Sequence, residues 1–236
     1  MFLTPRLHER RLPRRLVQLS TGLVLYGVSV ALLVRGGLGL EPWGVFQQGL
    51  SELSGLSMGV VSIVVGAAVL LLWIPLRQRP GLGTVCNVFV VGVALDATLA
   101  LLPSTGHLAV RVTLMVTGVV LNGAATGLYI AARFGPGPRD GLMTGLHQVT
   151  GGSVRLVRTG IEVLVVVTGF ALGGTVGVGT VVYALSIGPL AQWFLRLFAV
   201  PATAAPRPAA AADGAILSLF HPHSELVRCR VRMAWT

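Results

Sequence analysis

The chain consists of long apolar stretches separated by short turns that contain Pro and Gly. Each stretch holds roughly the 20 residues that a helix needs to cross a bilayer core, and turns such as PSTG at residues 103–106 favour helix ends. We therefore predict an all-α polytopic membrane protein with six transmembrane helices. The predicted spans are residues 16–34, 56–75, 81–102, 109–132, 155–173 and 177–199.

The first predicted span follows a basic segment, residues 1–15, and so resembles a signal peptide. Its apolar run is longer than the typical apolar core of a signal peptide, which is about 7–15 residues, and no small-residue cleavage site follows. We predict that it is retained as a membrane helix. Residues 200–236 are rich in Ala and Pro at their start and predict a flexible tail.

Two short segments, residues 42–54 and 138–150, are too short and too polar to cross a membrane. Each begins with Pro, which helices tolerate in their first turn. We predict two short helices that either re-enter the membrane or lie at its surface.

The sequence contains an internal duplication. A shift of 96 residues aligns residues 15–102 with 111–198 and gives 23 identities in 88 pairs, many of them glycines. We predict two repeats, residues 16–102 and 109–199, of three spans each. Because three is odd, the second repeat is inverted relative to the first, which is typical of secondary transporters. The alternative is a structural membrane protein whose symmetry only packs helices.

Composition excludes most soluble functions. The chain is 53% hydrophobic and 11% charged, whereas soluble domains carry about 25% charged residues. All 18 basic residues are Arg, and the absence of Lys excludes a Walker-A loop and a Schiff base. We expect no nucleic-acid binding, no metal or other cofactor, and no enzymatic activity, because no nucleophile–base pair is visible. The expected partners are the lipid bilayer and a small-molecule substrate, with a homo-oligomer possible.

The distribution of Arg predicts the orientation, because cytoplasmic loops carry the excess of basic residues. With both termini in the cytoplasm, only Arg35 and Arg111 lie outside, and the loops 103–108 and 133–139 lie outside and inside respectively. The inner residues are then Arg6 to Arg15, Arg77, Arg79, Arg133, Arg139, Arg155, Arg158 and the tail.

Charged residues inside predicted membrane helices are candidate functional residues. Arg155, Arg158 and Glu162 share one helix face, and Arg158 can pair with Glu162 at i, i+4. Two interpretations stay open: a gate or a clamp for a substrate carboxylate, or an intrahelical ion pair that anchors the helix. Arg139 and Asp140 can complete an inner gate with this pair.

Two further polar residues lie in apolar helices. Asp96 in the third span serves either a proton- or cation-coupled step or, as an outer-end residue, simply contacts water. Asn122 in the fourth span contributes either interhelical hydrogen bonds or a ligand contact. Trp43, Trp73 and Trp193 are predicted as anchors at the membrane interface.

Five segments across residues 15–199 resemble the bacterial YczE-like membrane proteins, which are grouped with the YitT and YyaS proteins. They are GLGLEPWGVFQQGLSELSG, RQRPGLGTVCNVFVVGVALD, GPGPRDGLMTGL, RLVRTGIEV and LGGTVGVGTVVYALSIGP. Gly44 departs from the acidic residue expected after Pro-Trp. The resemblance implies a multi-pass protein of the bacterial plasma membrane, and the frequent neighbourhood of MocR-type regulators implies a vitamin-like or amino-acid-like metabolite.

The sequence thus favours a secondary transporter of a small anionic or zwitterionic metabolite, with coupling through Asp96 or Glu162. The rival hypothesis is a non-transporting membrane protein that organises a partner complex.

Overall fold

The computed structural model describes residues 12–198, and within them all regular structure is helical. The predicted N-terminal segment and tail therefore lie mostly or wholly outside the described residues. The eight helices are α1 (Leu12–Gly36), α2 (Pro42–Ser54), α3 (Met58–Leu72), α4 (Leu82–Leu101), α5 (Leu108–Ala131), α6 (Pro138–Thr150), α7 (Val154–Ala171) and α8 (Val178–Phe198).

The short helices α2 and α6 end in the same way, and the same type of turn leads into the helix that follows each. Gly55 and Gly151 adopt left-handed conformations, with φ of 71° and 66°, where a residue with a Cβ is disfavoured. The hydroxyls of Ser57 and Ser153 then accept backbone hydrogen bonds at the N-termini of α3 and α7. These turns explain why α2 and α6 stay short.

The helices α1 and α5 pack antiparallel along most of their length. Near the start of α1, Arg15 Nε donates to the carbonyl oxygen of Ala132 at the end of α5, at 3.0 Å. Near the start of α5, Arg111 Nε donates to the carbonyl oxygen of Gly36 at the end of α1, at 2.8 Å. Each Arg therefore neutralises carbonyls left unpaired at the other helix's C-terminus.

Glycines allow these two helices to approach closely. A Cβ at Gly22 would lie 2.8 Å from the backbone nitrogen of Tyr129, and one at Gly118 would lie 3.0 Å from Cγ of Leu33. Both pairs follow the 96-residue offset of the duplication, since 22 corresponds to 118 and 33 to 129. The α1–α5 interface is thus made of reciprocal contacts.

The starts of α4 and α8 attach to the opposite half in matching ways. The backbone N–H of Gly83 donates to the carbonyl of Phe134 at 2.9 Å, and that of Gly179 donates to the carbonyl of Leu38 at 2.8 Å. The two halves are joined covalently by residues 102–107, which are largely exposed. At Gly106 in this connection, a Cβ would meet nothing within 4 Å.

One pair of helices breaks the correspondence between the halves. Helix α3 packs along α4, and glycines meet there: a Cβ at Gly92 would lie 2.6 Å from the carbonyl oxygen of Gly59. Helix α7 has no comparable contact with α8. At Gly188, which corresponds to Gly92, a Cβ would meet nothing within 4 Å.

Within residues 12–198, four helices are long and apolar enough to cross a membrane: α1, α4, α5 and α8. Helices α2 and α3, bent by 114° at their junction, form a fifth candidate span. The predicted count of six spans is not confirmed for two reasons. Helix α3 has only 15 residues, and the 18 residues of α7 include Arg155, Arg158 and Glu162. The coarser prediction, an all-α protein with several membrane-spanning helices, agrees with the structure.

Candidate functional site

A cavity of about 310 Å³ lies between the two halves of the chain, where the N-terminal ends of α2 and α6 meet. Its walls come from α1 to α8, with aliphatic and aromatic side chains and a few polar groups, as ligand sites usually have. The polar and aromatic residues that matter below are Tyr26, Trp43, Gln47, Arg139, Asp140 and Arg158.

Arg139 is the central cation of this cavity. Its guanidinium lies 5.1 Å from the centre of the Trp43 ring, within range of a cation–π interaction. On another side, its Nη1 lies 3.8 Å from Oε1 of Glu41. Since that distance exceeds a hydrogen bond, the guanidinium is loosely held and also faces the cavity.

Asp140 and Arg158 add charges of both signs. The hydroxyl of Tyr129 donates to Oδ2 of Asp140 at 2.6 Å, which fixes this carboxylate at the cavity wall. Nε of Arg158 donates to Oε1 of Glu162 at 2.9 Å, the predicted i, i+4 pair. Arg158 is half exposed and can present its remaining N–H groups to a ligand.

The predicted gate between the two charged pairs is not closed in this structure. Arg139 has a long ion pair with Glu41 and Asp140 has a hydrogen bond with Tyr129, while Arg158 pairs with Glu162. The structure therefore places Arg139, Asp140 and Arg158 around one cavity but pairs them separately.

Asn122 is fully buried and joins three helices. Its Nδ2 donates to Oγ of Ser29 at 2.8 Å, and its Oδ1 accepts from the hydroxyl of Tyr183 at 2.9 Å. Both ends of the amide are thus engaged between α1, α5 and α8. This is the interhelical interpretation of Asn122, and its role as a ligand contact stays a prediction.

Asp96 lies apart from the central cavity, in the α3–α4 interface. Its carboxylate accepts from Oγ of Ser57 at 2.5 Å and from the backbone N–H of Gly59 at 2.7 Å. A carboxylate at a helix N-terminus is stabilised by the unpaired N–H groups there. Asp96 therefore holds the start of α3 against α4, beside a separate cavity of about 500 Å³.

Glu41 was not among the predicted site residues, although it is 1% exposed at the centre of the site. Its carboxylate lies over Gly44, where a Cβ would be 2.6 Å from Oε2. The Glu41 carboxylate therefore occupies the space in which a side chain at position 44 would lie, and position 44 is where we expected an acidic residue. The one available signal was an acidic residue next to Pro42, in a segment that carries the family resemblance.

The prediction of interface anchors was wrong for two tryptophans. Trp43 and Trp73 are 7% and 2% exposed, and Nε1 of Trp73 donates to the carbonyl of Pro138 at 3.1 Å. Both are buried because side chains of α3, α6 and α7 pack around them, a set of contacts that sequence position alone does not reveal. Trp193 is 60% exposed, as an anchor would be. Within residues 12–198, no group of three His, Cys, Asp or Glu residues is placed to hold a metal ion.

Comparison with known proteins identifies the family. Residues 13–196 match a family of unknown function, DUF6198. A protein of Haemophilus influenzae is 40% identical over 177 residues, which cover 75% of this chain and 81% of that protein. The uncharacterized membrane protein YczE of Bacillus subtilis is 32% identical over 176 residues, which cover 74% and 82%.

YyaS of Bacillus subtilis is 25% identical over 180 residues, which cover 75% of this chain and 90% of YyaS. No solved structure matches. The predicted resemblance is thereby confirmed. The chain belongs to the family of unknown function DUF6198 and is a YczE-like bacterial membrane protein.

Proposed function

We propose that this protein is a secondary transporter, built from two inverted repeats, that moves a small anionic or zwitterionic metabolite across the bacterial plasma membrane. The observation that carries the proposal is the cavity between the two halves, with Arg139, Asp140 and Arg158 at its wall. Its volume of about 310 Å³ is at the lower end of ligand pockets and suits a small metabolite.

The reciprocal contacts of α1 and α5 support the inverted repeat. Arg15 and Arg111 exchange equivalent hydrogen bonds between antiparallel helices, so a two-fold axis that relates the helices runs perpendicular to them. If the two helices span the bilayer, that axis lies in the membrane plane. Transporters with this symmetry place their substrate site between the repeats.

The unequal packing of α3 and α7 supports alternating access. The α3–α4 contact is closed through Gly59, Gly92 and Asp96, whereas α7 makes no comparable contact with α8. Two matched interfaces, one closed and one open, are what a carrier needs if it opens one side of its site at a time. In the second state, α7 closes on α8 and α3 leaves α4.

The charges of the cavity support the substrate class. Arg presents two parallel N–H groups that match a carboxylate, and Arg139 and Arg158 both reach the cavity. The carboxylate of Asp140 offers a position for an ammonium group. A zwitterion such as an amino-acid-like metabolite satisfies both signs of charge.

The orientation belongs to the proposal as well. It rests on the Arg distribution, which places the N-terminus in the cytoplasm, the ends of α5 and α8 on the cytoplasmic side, and the α4–α5 connection outside. The terminal segments themselves lie outside the described residues.

The test is a thermal-shift screen of the purified protein against vitamins, amino acids and organic acids, followed by uptake into proteoliposomes. A ligand at 100 times its dissociation constant stabilises the folded state by about 2.7 kcal/mol. We expect a ligand whose shift is lost in Arg158→Ala and retained in Arg155→Ala, since Arg155 is exposed and does not line the cavity. Absence of any ligand for a well-folded sample would favour the non-transporting partner protein.

A further inference from the structure

Glu41 is a buried carboxyl group whose hydrogen-bonding capacity is unused. It lies in the linker between α1 and α2 and is 1% exposed, and neither of its carboxylate oxygens has a hydrogen-bond partner among the described residues. A buried carboxylate is costly unless a cation compensates its charge or a proton neutralises it. The site must therefore supply one or the other.

The cation available to Glu41 is shared with the cavity. Among residues 12–198, Arg139 forms the one ion pair of Glu41, at 3.8 Å, and the same guanidinium faces the cavity above the Trp43 ring. A carboxylate ligand that offers Arg139 two hydrogen bonds at normal length competes with this long contact. The Arg139 guanidinium can therefore neutralise the charge of Glu41 or that of a bound anion, but it cannot neutralise both charges at once.

We propose that Glu41 is a proton-binding site coupled through Arg139 to the anion in the cavity. This inference rests on the proposed transport of an anionic or zwitterionic substrate and adds the coupling ion. When the substrate's carboxylate takes Arg139, Glu41 loses its counter-charge and binds one proton on a carboxylate oxygen. When the substrate leaves, Arg139 returns and the proton departs, so one proton travels with each substrate molecule.

The other groups near Glu41 leave Arg139 as the deciding charge. The phenols of Tyr26 from α1 and Tyr183 from α8 line the same cavity and carry no charge near pH 7, because a phenol loses its proton only in alkaline solution. Asp140 is held by Tyr129. Burial raises the pKa of the Glu41 carboxyl, and the Arg139 guanidinium lowers it. Removal of the Arg139 charge must therefore raise this pKa further.

The proton site can be tested without the substrate. We would titrate the purified protein from about pH 5 to pH 9, a range that includes the pKa values of buried carboxyl groups. The infrared C=O band of protonated carboxyl groups reports their protonation at each pH. We expect one titrating band that is lost in Glu41→Gln and kept in Glu52→Gln, a matched control because Glu52 is an exposed carboxyl on α2. Retention of the band in Glu41→Gln would overturn the proposal.

A second variant tests the coupling to Arg139 and does not depend on the folding of Glu41→Gln. In Arg139→Gln the midpoint of the band should move up by about 1 pH unit or more, and an unchanged midpoint would refute the role of Arg139. Transport is tested separately. If a substrate identified by the screen still accumulates under a pH gradient in Glu41→Gln proteoliposomes, the coupling is wrong and the transporter stands. If the band behaves as expected but no anion binds, the transporter and the coupling fail and only the proton site remains.

Discussion

Arg15 and Arg111 make the same two contacts at opposite ends of one helix pair. Arg15 donates from Nε to the carbonyl oxygen of Ala132 at 3.0 Å and from Nη2 to that of Arg133 at 3.2 Å. Arg111 donates in the same way to the carbonyl oxygens of Gly36 and Gly37, at 2.8 and 2.7 Å. The two residues are 96 apart, the offset of the duplication. Equivalent pairs of Arg–carbonyl hydrogen bonds therefore connect α1 and α5 at both ends of the helix pair.

The first prediction concerns the hydrogen bonds of Arg15 and Arg111. Arg15→Ala and Arg111→Ala should each lower the free energy of unfolding by about 1–3 kcal/mol, because each removes two hydrogen bonds from a charged donor. The thermal midpoint in detergent measures the effect. Arg79→Ala is the control, since Arg79 is exposed and its side chain makes no hydrogen bond to any of residues 12–198. Equal thermal midpoints for all three variants would show that the hydrogen bonds of Arg15 and Arg111 do not stabilise the helix pair.

The second prediction compares two corresponding glycines. Gly92→Ala should destabilise the protein by about 1–3 kcal/mol, because the new Cβ would lie 2.6 Å from atoms of Gly59 and Ile63. Gly188→Ala should leave the thermal midpoint unchanged or raise it, because nothing lies within 4 Å and Ala favours helix over Gly.

The same pair distinguishes packing from transport. If α8 closes on α7 during the cycle, Gly188→Ala should slow uptake of the identified substrate although the folded protein is as stable as the wild type. Wild-type uptake by Gly188→Ala would argue against this closure.

The third prediction separates the two interpretations of the Arg158–Glu162 pair. The pair is about half exposed on the Arg side, and such ion pairs contribute about 0.2–1 kcal/mol. Arg158→Ala and Glu162→Gln should therefore shift the thermal midpoint little while they abolish ligand binding and uptake. A large loss of stability with ligand binding intact would identify the pair as a structural anchor.

The fourth prediction concerns orientation. In a background of Cys86→Ser and Cys229→Ser, the Ser104→Cys variant should react with a membrane-impermeant maleimide in intact cells. The Arg79→Cys variant should react only after permeabilisation. Both positions are exposed and flank α4, so each serves as the other's control. The reverse pattern would place the N-terminus outside.

Much of the fold follows from local sequence signals. Apolar length places α1, α4, α5 and α8. The duplication indicates which glycines do the same work: Gly39 and Gly135 turn their linkers with φ of 119° and 116°. A φ as large as at these two glycines, or a close approach of two backbones, is tolerated by almost no residue except Gly, so such positions are visible in the sequence.

The site was less predictable because it depends on contacts between distant segments. Arg158 and Glu162 pair within one turn of helix, and the sequence predicts that. Glu41 is in a linker, where an acidic residue is ordinary, and its contact with Arg139 at the N-terminus of α6 joins segments almost 100 residues apart. Trp43 and Trp73 are buried in a cluster with side chains of α3, α6 and α7. Helical periodicity carries no information about such docking.

The exposed connection of residues 102–107 takes no part in the hydrogen bonds found between the two halves within residues 12–198. The interactions that unite the halves run between helices and linkers on either side of it, and a Cβ added at its Gly106 would meet nothing within 4 Å. A gene divided within this connection would therefore encode two short polypeptides that still recognise each other in the bilayer. Each of these polypeptides would contain one of the two segments that the 96-residue offset relates.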